Sequence, residues 1–186
     1  MNAIRDANSG RSWRNPRELI DHIVATYHDT IRLTLPDLEQ LTDTIGREEL
    51  VPLAARERLE SELIELTDLL ERHIAEQEGW LFPLIRHIKD ATDETEWDYV
   101  VGDSLHWLMG REGGADAELL DRAEQVGTLL RDAARNWKEP IVADLIERVQ
   151  LVCRDLPTHA RLEAEVLFPY VEELIKEEGL VCNELW

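Results

Sequence analysis

Two stretches of the sequence, HIAEQEGWLFP and HARLEAEVLFP, place metal-binding residue types at the same spacing. Each begins with a histidine, His73 or His159, that stands ten residues before a proline. The fifth residue is Gln77 in the first stretch and Glu163 in the second. Residues four apart share one face of a helix, so each stretch is predicted to direct an imidazole and a polar partner to the same side.

These paired polar groups lie on apolar stripes, where burial costs free energy unless the groups find partners. A single inward-facing histidine is commonly a hydrogen-bonded core residue. Two histidines in the same frame favour a different solution, in which imidazole and carboxylate groups coordinate a cation inside the protein. His28 follows Val24 and precedes Ile31 on another apolar stripe, and it supplies a third inward-facing imidazole.

The first helix that must position these groups is predicted to start at Asn15. Asn15 can cap the helix, Pro16 suits its first position, and Glu18 has capping-box spacing. The helix is expected to run to about Gly46, with a kink at Pro36, because the apolar spacing continues on both sides of the proline.

Three further helices are predicted from the same kind of periodicity. The second segment has a buried stripe of Leu59, Leu63, Leu66, Leu70, His73, Gln77, Trp80 and Leu84. The fourth has a stripe of Val142, Leu145, Val149, Val152, Leu156, His159, Glu163, Val166 and Tyr170. The third extends to about Asn136, and a break is expected near REGGAD, since each glycine inside a helix costs about 1 kcal/mol relative to alanine.

Together these elements predict an all-α protein, an up-and-down four-helix bundle. We expect residues 1–14 to be a flexible N-terminal tail, residues 15–178 to form the bundle and residues 179–186 to be a C-terminal tail. The 186 residues suffice for one domain with its own core.

Composition narrows the classes of function. The net charge of −20 opposes binding to nucleic acid or to an anionic membrane surface and suits cations. The sequence has no signal-peptide pattern and no apolar run of membrane-spanning length, so we expect a soluble, cytoplasmic protein. The two cysteines, Cys153 and Cys182, lack metal-site spacing and fit a reducing compartment.

The sequence resembles the hemerythrin-like proteins, and among them the repair-of-iron-centres proteins. The resemblance spans residues 19–169 and rests on LIDHIVATYHD, LPDL and the two histidine stretches that end in LFP. It implies the bundle fold and assigns His28, His73, His159 and Glu163 as iron ligands. The family has a bridging glutamate where this chain has Gln77, and a glutamine offers one neutral oxygen instead of two anionic ones.

The third-helix ligand of the family is also missing. Its pattern, a Glu-His pair followed by GELL, resembles MGREGGADAELL with Gly113 in place of the histidine. In a competing alignment His106 takes the role, although it lies one heptad away, or about 10 Å along a helix. We favour Gly113 as the equivalent position because ELL follows in register. The remaining ligands then predict a reduced site that holds one iron, or at most two.

The resemblance implies a non-haem iron protein linked to iron–sulfur cluster repair or to nitrosative and oxidative stress, and we expect it not to be a conventional enzyme. One alternative is a module that binds oxygen or nitric oxide without turnover. Another is a metal-free structural relic in which the polar residues satisfy one another. A ferritin-like oxidase is disfavoured, because no histidine has a glutamate three residues before it. Oligomeric state and protein partners stay open.

Overall fold

Four helices of the computed structural model pack as an up-and-down bundle. The structure describes residues 4–6, 8–47, 53–87, 97–136 and 140–177. The first bundle helix packs against the second and the fourth, and the third packs against the same two. The predicted all-α four-helix bundle is therefore confirmed.

Three of the bundle helices contain a π-helical turn. The first, residues 16–47, joins Pro16–Ile23, the π turn Val24–His28 and Asp29–Arg47. The second, residues 53–87, joins Leu53–Glu76, the π turn Gln77–Leu81 and Phe82–His87. The third is Trp97–Asn136. The fourth, residues 140–177, joins Pro140–Leu162, the π turn Glu163–Leu167 and Phe168–Glu177. None of the described helices is long and apolar enough to cross a bilayer.

The first bundle helix begins as its sequence predicts. The Asn15 side chain accepts a hydrogen bond from the Glu18 backbone N–H at 3.0 Å, and Pro16 occupies the first helical position. Glu18 reaches back to accept the backbone N–H of Arg14 at 2.9 Å. The helix then continues through Pro36 to Arg47. These caps satisfy backbone donors that a helix start leaves without intrahelical partners.

The third bundle helix differs from its prediction, because it runs without a break through REGGAD. Gly113 and Gly114 lie in helical conformation on its exposed face. The cost of these glycines is local, whereas the inward face of the helix is buried from Leu105 to Leu130. Burial of that face outweighs the weak helix propensity of the glycines.

A layer of polar side chains divides the interior of the bundle into two apolar clusters. One cluster includes Ile31, Leu38, Leu66, Val126 and Val149. The other includes Leu19, Phe82, Leu105, Leu167 and Val171. Between them every bundle helix contributes buried polar residues, which are His28, His73, Gln77, Glu112, Asp116, His159 and Glu163. The bundle therefore places its polar groups in one layer, midway along four helices.

A short β-hairpin lies within the stretch that was expected to be a flexible tail. Strands Ile4–Arg5 and Ser12–Trp13 pair antiparallel, and the side chains of Ile4 and Trp13 are buried. Asp6, 2% exposed, forms two hydrogen bonds of 3.0 Å with the guanidinium of Arg161. Because Arg161 lies between His159 and Glu163, this pair fastens the hairpin to the helix that carries two predicted ligands. The predicted C-terminal tail, 179–186, lies outside the described residues.

We expect Asp6→Asn to reduce the acid sensitivity of the protein. Hydrogen bonds from Arg161 and from Ser9 hold the pKa of Asp6 far below its usual range. A carboxyl whose pKa is lowered by folding stabilises the native state above its unfolded pKa of about 3.9, and this contribution is lost as the pH falls further. Thermal unfolding of the metal-free proteins at pH 5 and pH 3, chosen to bracket about 3.9, should show a smaller loss of stability in the variant. If both proteins lost the same stability between pH 5 and pH 3, the Asp6 carboxylate would not be the source of the acid sensitivity.

Candidate metal centre

The four residues predicted as ligands meet in the polar layer. His28 ends the first π turn, His73 and His159 lie in the second and fourth bundle helices, and Glu163 opens the last π turn. Their exposed fractions are 0%, 4%, 1% and 0%. One ligand atom from each lies within 4.8 Å of those of the other three. Residues far apart in the sequence therefore converge at the distances that a single cation could draw together.

The three imidazoles lie close to one another in the core. The Nε2 atoms of His28 and His159 are 3.3 Å apart, and His159 Nε2 is also 3.0 Å from Glu163 Oε1. The His73 ring centroid lies 5.7 Å from that of His28 and 5.0 Å from that of His159. His159 Nε2 carries at most one proton, so it cannot donate to both His28 Nε2 and Glu163 Oε1. Lone pairs of these groups therefore face the same point between them.

Groups outside this cluster hold two of the imidazoles in place. His28 Nδ1 lies 2.7 Å from Glu78 Oε1, and the other Glu78 oxygen pairs with Arg32 at 2.6 Å. A proton on Nδ1 leaves the Nε2 lone pair free for a metal, which is the usual arrangement of a histidine ligand. Burial, together with the neighbouring His159, lowers the pKa of His28 to about 4. The ring of Tyr27 stacks on His159, with centroids 5.2 Å apart.

Gln77 faces the pocket, as its place on the predicted stripe requires. It is 0% exposed, and its amide nitrogen donates to Glu163 Oε2 at 2.7 Å and lies 3.5 Å from Glu112 Oε2. Its own oxygen, Oε1, has no hydrogen-bond partner within the described residues. The amide therefore bridges two carboxylates and presents a neutral oxygen to the pocket.

Two pocket residues were missed by the sequence prediction, Glu112 and Asp116 of the third bundle helix. They are 1% and 6% exposed. A signal for them exists, because they continue the inward stripe of Leu105, Met109 and Leu119 at alternating spacings of four and three. The family motif aligns its histidine ligand with the neighbouring Gly113 instead. The third helix thus supplies carboxylates where the resemblance implies an imidazole.

Neither of the two third-helix alignments places a ligand in the pocket. Gly113 is exposed, and a Cβ built there meets nothing within 4 Å, so a histidine at this position would point to solvent. His106 is exposed as well. The preference for Gly113 as the equivalent position was wrong, and so was the alternative. Both residues lie on the outward face of the helix that carries Glu112 and Asp116 on its inward face.

We expect Gly113→Ala to stabilise the protein by up to about 1 kcal/mol without changing its metal content. The position is helical, exposed and unobstructed, so the variant gains helix propensity and loses no contact. Gly10→Ala is the matched control and should lower the stability, since Gly10 has φ +69°, a conformation that alanine adopts only with strain. Urea unfolding and metal analysis would check both variants. A loss of metal in Gly113→Ala would show that position 113 contributes to the metal site after all.

The third-helix carboxylates form a second group of donors with His73. His73 Nδ1 lies 3.6 Å from Glu112 Oε2 and 3.4 Å from Asp116 Oδ1. Burial, reinforced by the charge of Glu163, raises the pKa of Asp116 to about 7. Burial opposes a charge on His73, but Glu112, Glu163 and Asp116 outweigh it and raise its pKa. In the metal-free pocket, protons thus compensate charge that a cation would otherwise neutralise.

The donor set fits a metal ion on structural grounds. Neither ring nitrogen of His73 has a hydrogen-bond partner in the described part of the chain, and the same holds for Gln77 Oε1 and Glu112 Oε1. Buried polar atoms are usually paired, so several orphaned atoms in one pocket indicate an additional partner. Imidazole nitrogens and carboxylate oxygens are ligands of first-row divalent metals.

Comparisons with known proteins identify sequences that this chain resembles. The model of the Hemerythrin HHE cation binding domain matches residues 19–98. A probable iron–sulfur cluster repair protein of Haemophilus influenzae is 28% identical over 88% of this chain and 70% of its own length. The iron–sulfur cluster repair protein YtfE of Escherichia coli O1:K1 is 27% identical over 86% of this chain and 68% of its own. No solved structure matches. The resemblance found in the sequence is confirmed: this four-helix bundle is similar to the hemerythrin HHE domain over residues 19–98 and to iron–sulfur cluster repair proteins over most of its length.

Proposed function

We propose that this protein holds an exchangeable non-haem iron and delivers it during repair of damaged iron–sulfur clusters in the cytoplasm. His28, His73, His159 and Glu163 would hold one iron in a site that is reduced relative to the dinuclear site of the family. The names of the similar proteins in H. influenzae and E. coli support the repair role.

The convergence of these four buried donors carries the proposal. A metal-free relic would require the polar side chains to satisfy one another. Glu163 does find partners in His159 and Gln77, but His73 is 4% exposed and neither of its nitrogens has a hydrogen-bond partner within the described residues. An unpaired buried polar group costs about 1–3 kcal/mol, and a ligand removes that cost.

The residues around the pocket prepare it to bind and release the ion. The apolar clusters on both sides exclude bulk water, which strengthens the attraction between Glu163 and a cation. Glu78 orients the His28 ring from outside the cluster. Three imidazoles and one carboxylate leave positions open on a six-coordinate ion. The bound iron would supply a redox-active Lewis acid that can exchange ligands at those positions.

The test is iron loading followed by iron transfer. Protein purified without a metal-binding tag and reconstituted anaerobically with ferrous iron should retain about one iron per chain after desalting. It should then restore activity to a hydratase whose cluster has lost an iron, with a thiol reductant present. Metal-free protein and the same amount of free iron with a chelator are the controls. Iron content below about a tenth of an equivalent would remove the basis of the proposal.

Binding of oxygen or nitric oxide is the second candidate function, and a pocket next to His159 favours it. This surface pocket lies between the first and fourth bundle helices and is lined in part by Tyr27, Thr30, Leu156 and His159. Its free space of about 10 Å³ lies directly beside the His159 ring. Absorption spectra of the ferrous protein with and without nitric oxide would distinguish the functions: a stable adduct with no iron transfer would favour gas binding.

A further inference from the structure

Two exposed tryptophans line an apolar groove between the second and third bundle helices. Trp80 is 68% exposed and Trp107 is 62% exposed, whereas the side chain of Trp13 is buried. The groove has a volume of about 640 Å³, and its walls include Leu84 and Leu108. Contiguous apolar surface that a protein leaves exposed commonly marks a contact with another molecule. This face of the bundle is therefore a candidate interaction surface.

Trp80 faces solvent because it lies in a π turn, Gln77–Leu81. The apolar spacing of the second bundle helix would put Trp80 on the buried stripe of a regular α-helix. The π turn buries Leu81 and Phe82 instead. Such turns are frequent at functional sites. This one directs Gln77 into the polar layer and presents an indole ring on the surface.

The charges along the groove cancel. Among the residues that line it, Glu76 and Arg111 are charged, and they pair with each other at 2.6 Å. The Arg111 guanidinium also lies over the Trp107 ring, 5.1 Å from its centroid. The chain as a whole carries a net charge of −20, so the groove is a neutral face on an acidic protein.

This neutrality favours a second copy of the chain over a basic partner as the occupant. A basic protein is attracted to acidic surface, which this chain offers elsewhere. Two copies repel each other through their net charge, and they approach most easily through a face that carries little charge. A two-fold interface uses the same face twice, so the face must be complementary to itself. This one combines protruding rings with a groove that can receive them.

We propose that two copies of this chain associate through the groove lined by Trp80 and Trp107. The rings of each copy pack into the groove of the other, and the Glu76–Arg111 pair lies at the contact. Tryptophan and arginine are the residues that most often dominate the binding energy of interfaces. This association does not depend on the iron function proposed above.

The tryptophan surface is large enough to anchor a reversible dimer. A buried tryptophan removes about 150–250 Å² from water, and roughly two-thirds of each residue is exposed here. Covering both tryptophans on both copies would therefore bury about 400–600 Å². A specific interface buries about 1,200–2,000 Å² in total, so these residues would supply about a third of it. Leu84 and Leu108 border them and add apolar area.

Sedimentation velocity of the metal-free full chain tests the proposal. Between about 1 and about 100 µM protein, the average mass should rise from that of a monomer toward that of a dimer. Metal-free protein is used so that a failure of the iron function leaves this result unaffected. Wild-type protein that stays monomeric over the whole range overturns the proposal and leaves the groove to a different kind of partner.

Substitutions in the groove should weaken the dimer, because each one removes two rings from a two-fold interface. Trp80→Ala and Trp107→Ala should each raise the dissociation constant at least about tenfold. Leu33→Ala is the matched control, since Leu33 is 78% exposed on the first bundle helix and does not line the groove. It should leave association unchanged. Circular dichroism checks that each variant is folded.

Trp107→Ala decides the result if Trp80→Ala loses helix content, because Trp107 lies in regular α-helix. A Trp107→Ala protein that dimerises as well as the wild type would show that the copies meet through another face. Salt gives a second measurement. Raising sodium chloride from about 0.02 to about 0.3 M should strengthen an apolar contact between acidic copies, since it screens their repulsion. Weaker association at high salt would overturn the proposed face.

Discussion

Replacing His159 by alanine should remove most of the iron that we propose the protein holds, while leaving the bundle folded. His159 Nε2 lies within 3.3 Å of His28 Nε2 and within 3.0 Å of Glu163 Oε1, which makes this imidazole the link between the other donors. Loss of a group that merely orients a ligand typically weakens metal binding by about 10–100-fold, and loss of a ligand should exceed that range. We therefore expect less than about a tenth of the wild-type iron after identical reconstitution.

The same change should cost the metal-free protein only about 1–3 kcal/mol. The Tyr27 ring loses its stacking partner, while Glu163 keeps its hydrogen bond from Gln77. A domain of this kind has a free energy of unfolding of about 5–15 kcal/mol, so it remains folded. Elemental analysis and circular dichroism give the two readouts. His106→Ala, on the exposed face of the third bundle helix, is the control and should keep its iron. If His159→Ala retained its iron, His159 would be a buried core residue and not a ligand.

The change Gln77→Glu should destabilise the metal-free protein and increase its stabilisation by metal. Gln77 now donates to Glu163 at 2.7 Å and lies 3.5 Å from Glu112, both through its amide nitrogen. A carboxylate at this position removes the donor and adds a buried negative charge. A buried charge left without compensation commonly costs about 3–5 kcal/mol, which is a large part of the stability of a small domain.

With metal bound, the new carboxylate should stabilise the folded protein instead, because it would act as an anionic ligand. The increase in melting temperature on metal loading should therefore be larger in Gln77→Glu than in the wild type. Gln125→Glu is the matched control, since the Gln125 amide donates to an exposed carboxylate, Asp121, at 2.6 Å on the outer part of the bundle. That change should shift stability by less than about 0.5 kcal/mol. A metal-free Gln77→Glu protein as stable as the wild type would contradict the proposed role of the amide.

Apolar spacing predicted the bundle and the inward direction of the key polar residues. The alternation of three and four residues that holds Leu66 and Leu70 also holds His73 and Gln77 on the buried face. The equivalent stripe in the fourth bundle helix places Leu156, His159 and Glu163 inside. These positions could be predicted because the stripes enter the polar layer through regular α-helix.

The prediction failed just beyond that layer, where the π turns begin. Trp80 continues the spacing of the second stripe but is 68% exposed, and Leu81 and Phe82 are buried in its place. The extra residue of a π turn rotates the following side chains by about 100°, which no α-helical period anticipates. The same shift buries Leu167 and Val171 in the fourth bundle helix, while Tyr170 is only partly buried.

The third bundle helix and the N-terminal hairpin were missed for other reasons. Glycine propensity predicted a break, but a long packed face outweighs local costs of about 1 kcal/mol. Glu112 and Asp116 could have been found from periodicity alone, since they follow the spacing of the apolar residues around them. The hairpin has strands of two residues each, which are too short to show alternation, and its ion pair joins Asp6 to a residue 155 positions away.

The polar layer makes the bundle two small cores stacked end to end. One apolar cluster lies on each side of the layer, and each draws on all four bundle helices. Apolar contact between the clusters is interrupted at the polar layer, and a cation bound there would add direct bonds between side chains of the first, second and fourth bundle helices. Cooperative units of a protein can open separately when few contacts cross between them. We therefore expect the backbone amides beside the polar layer to exchange more slowly with solvent once metal is bound.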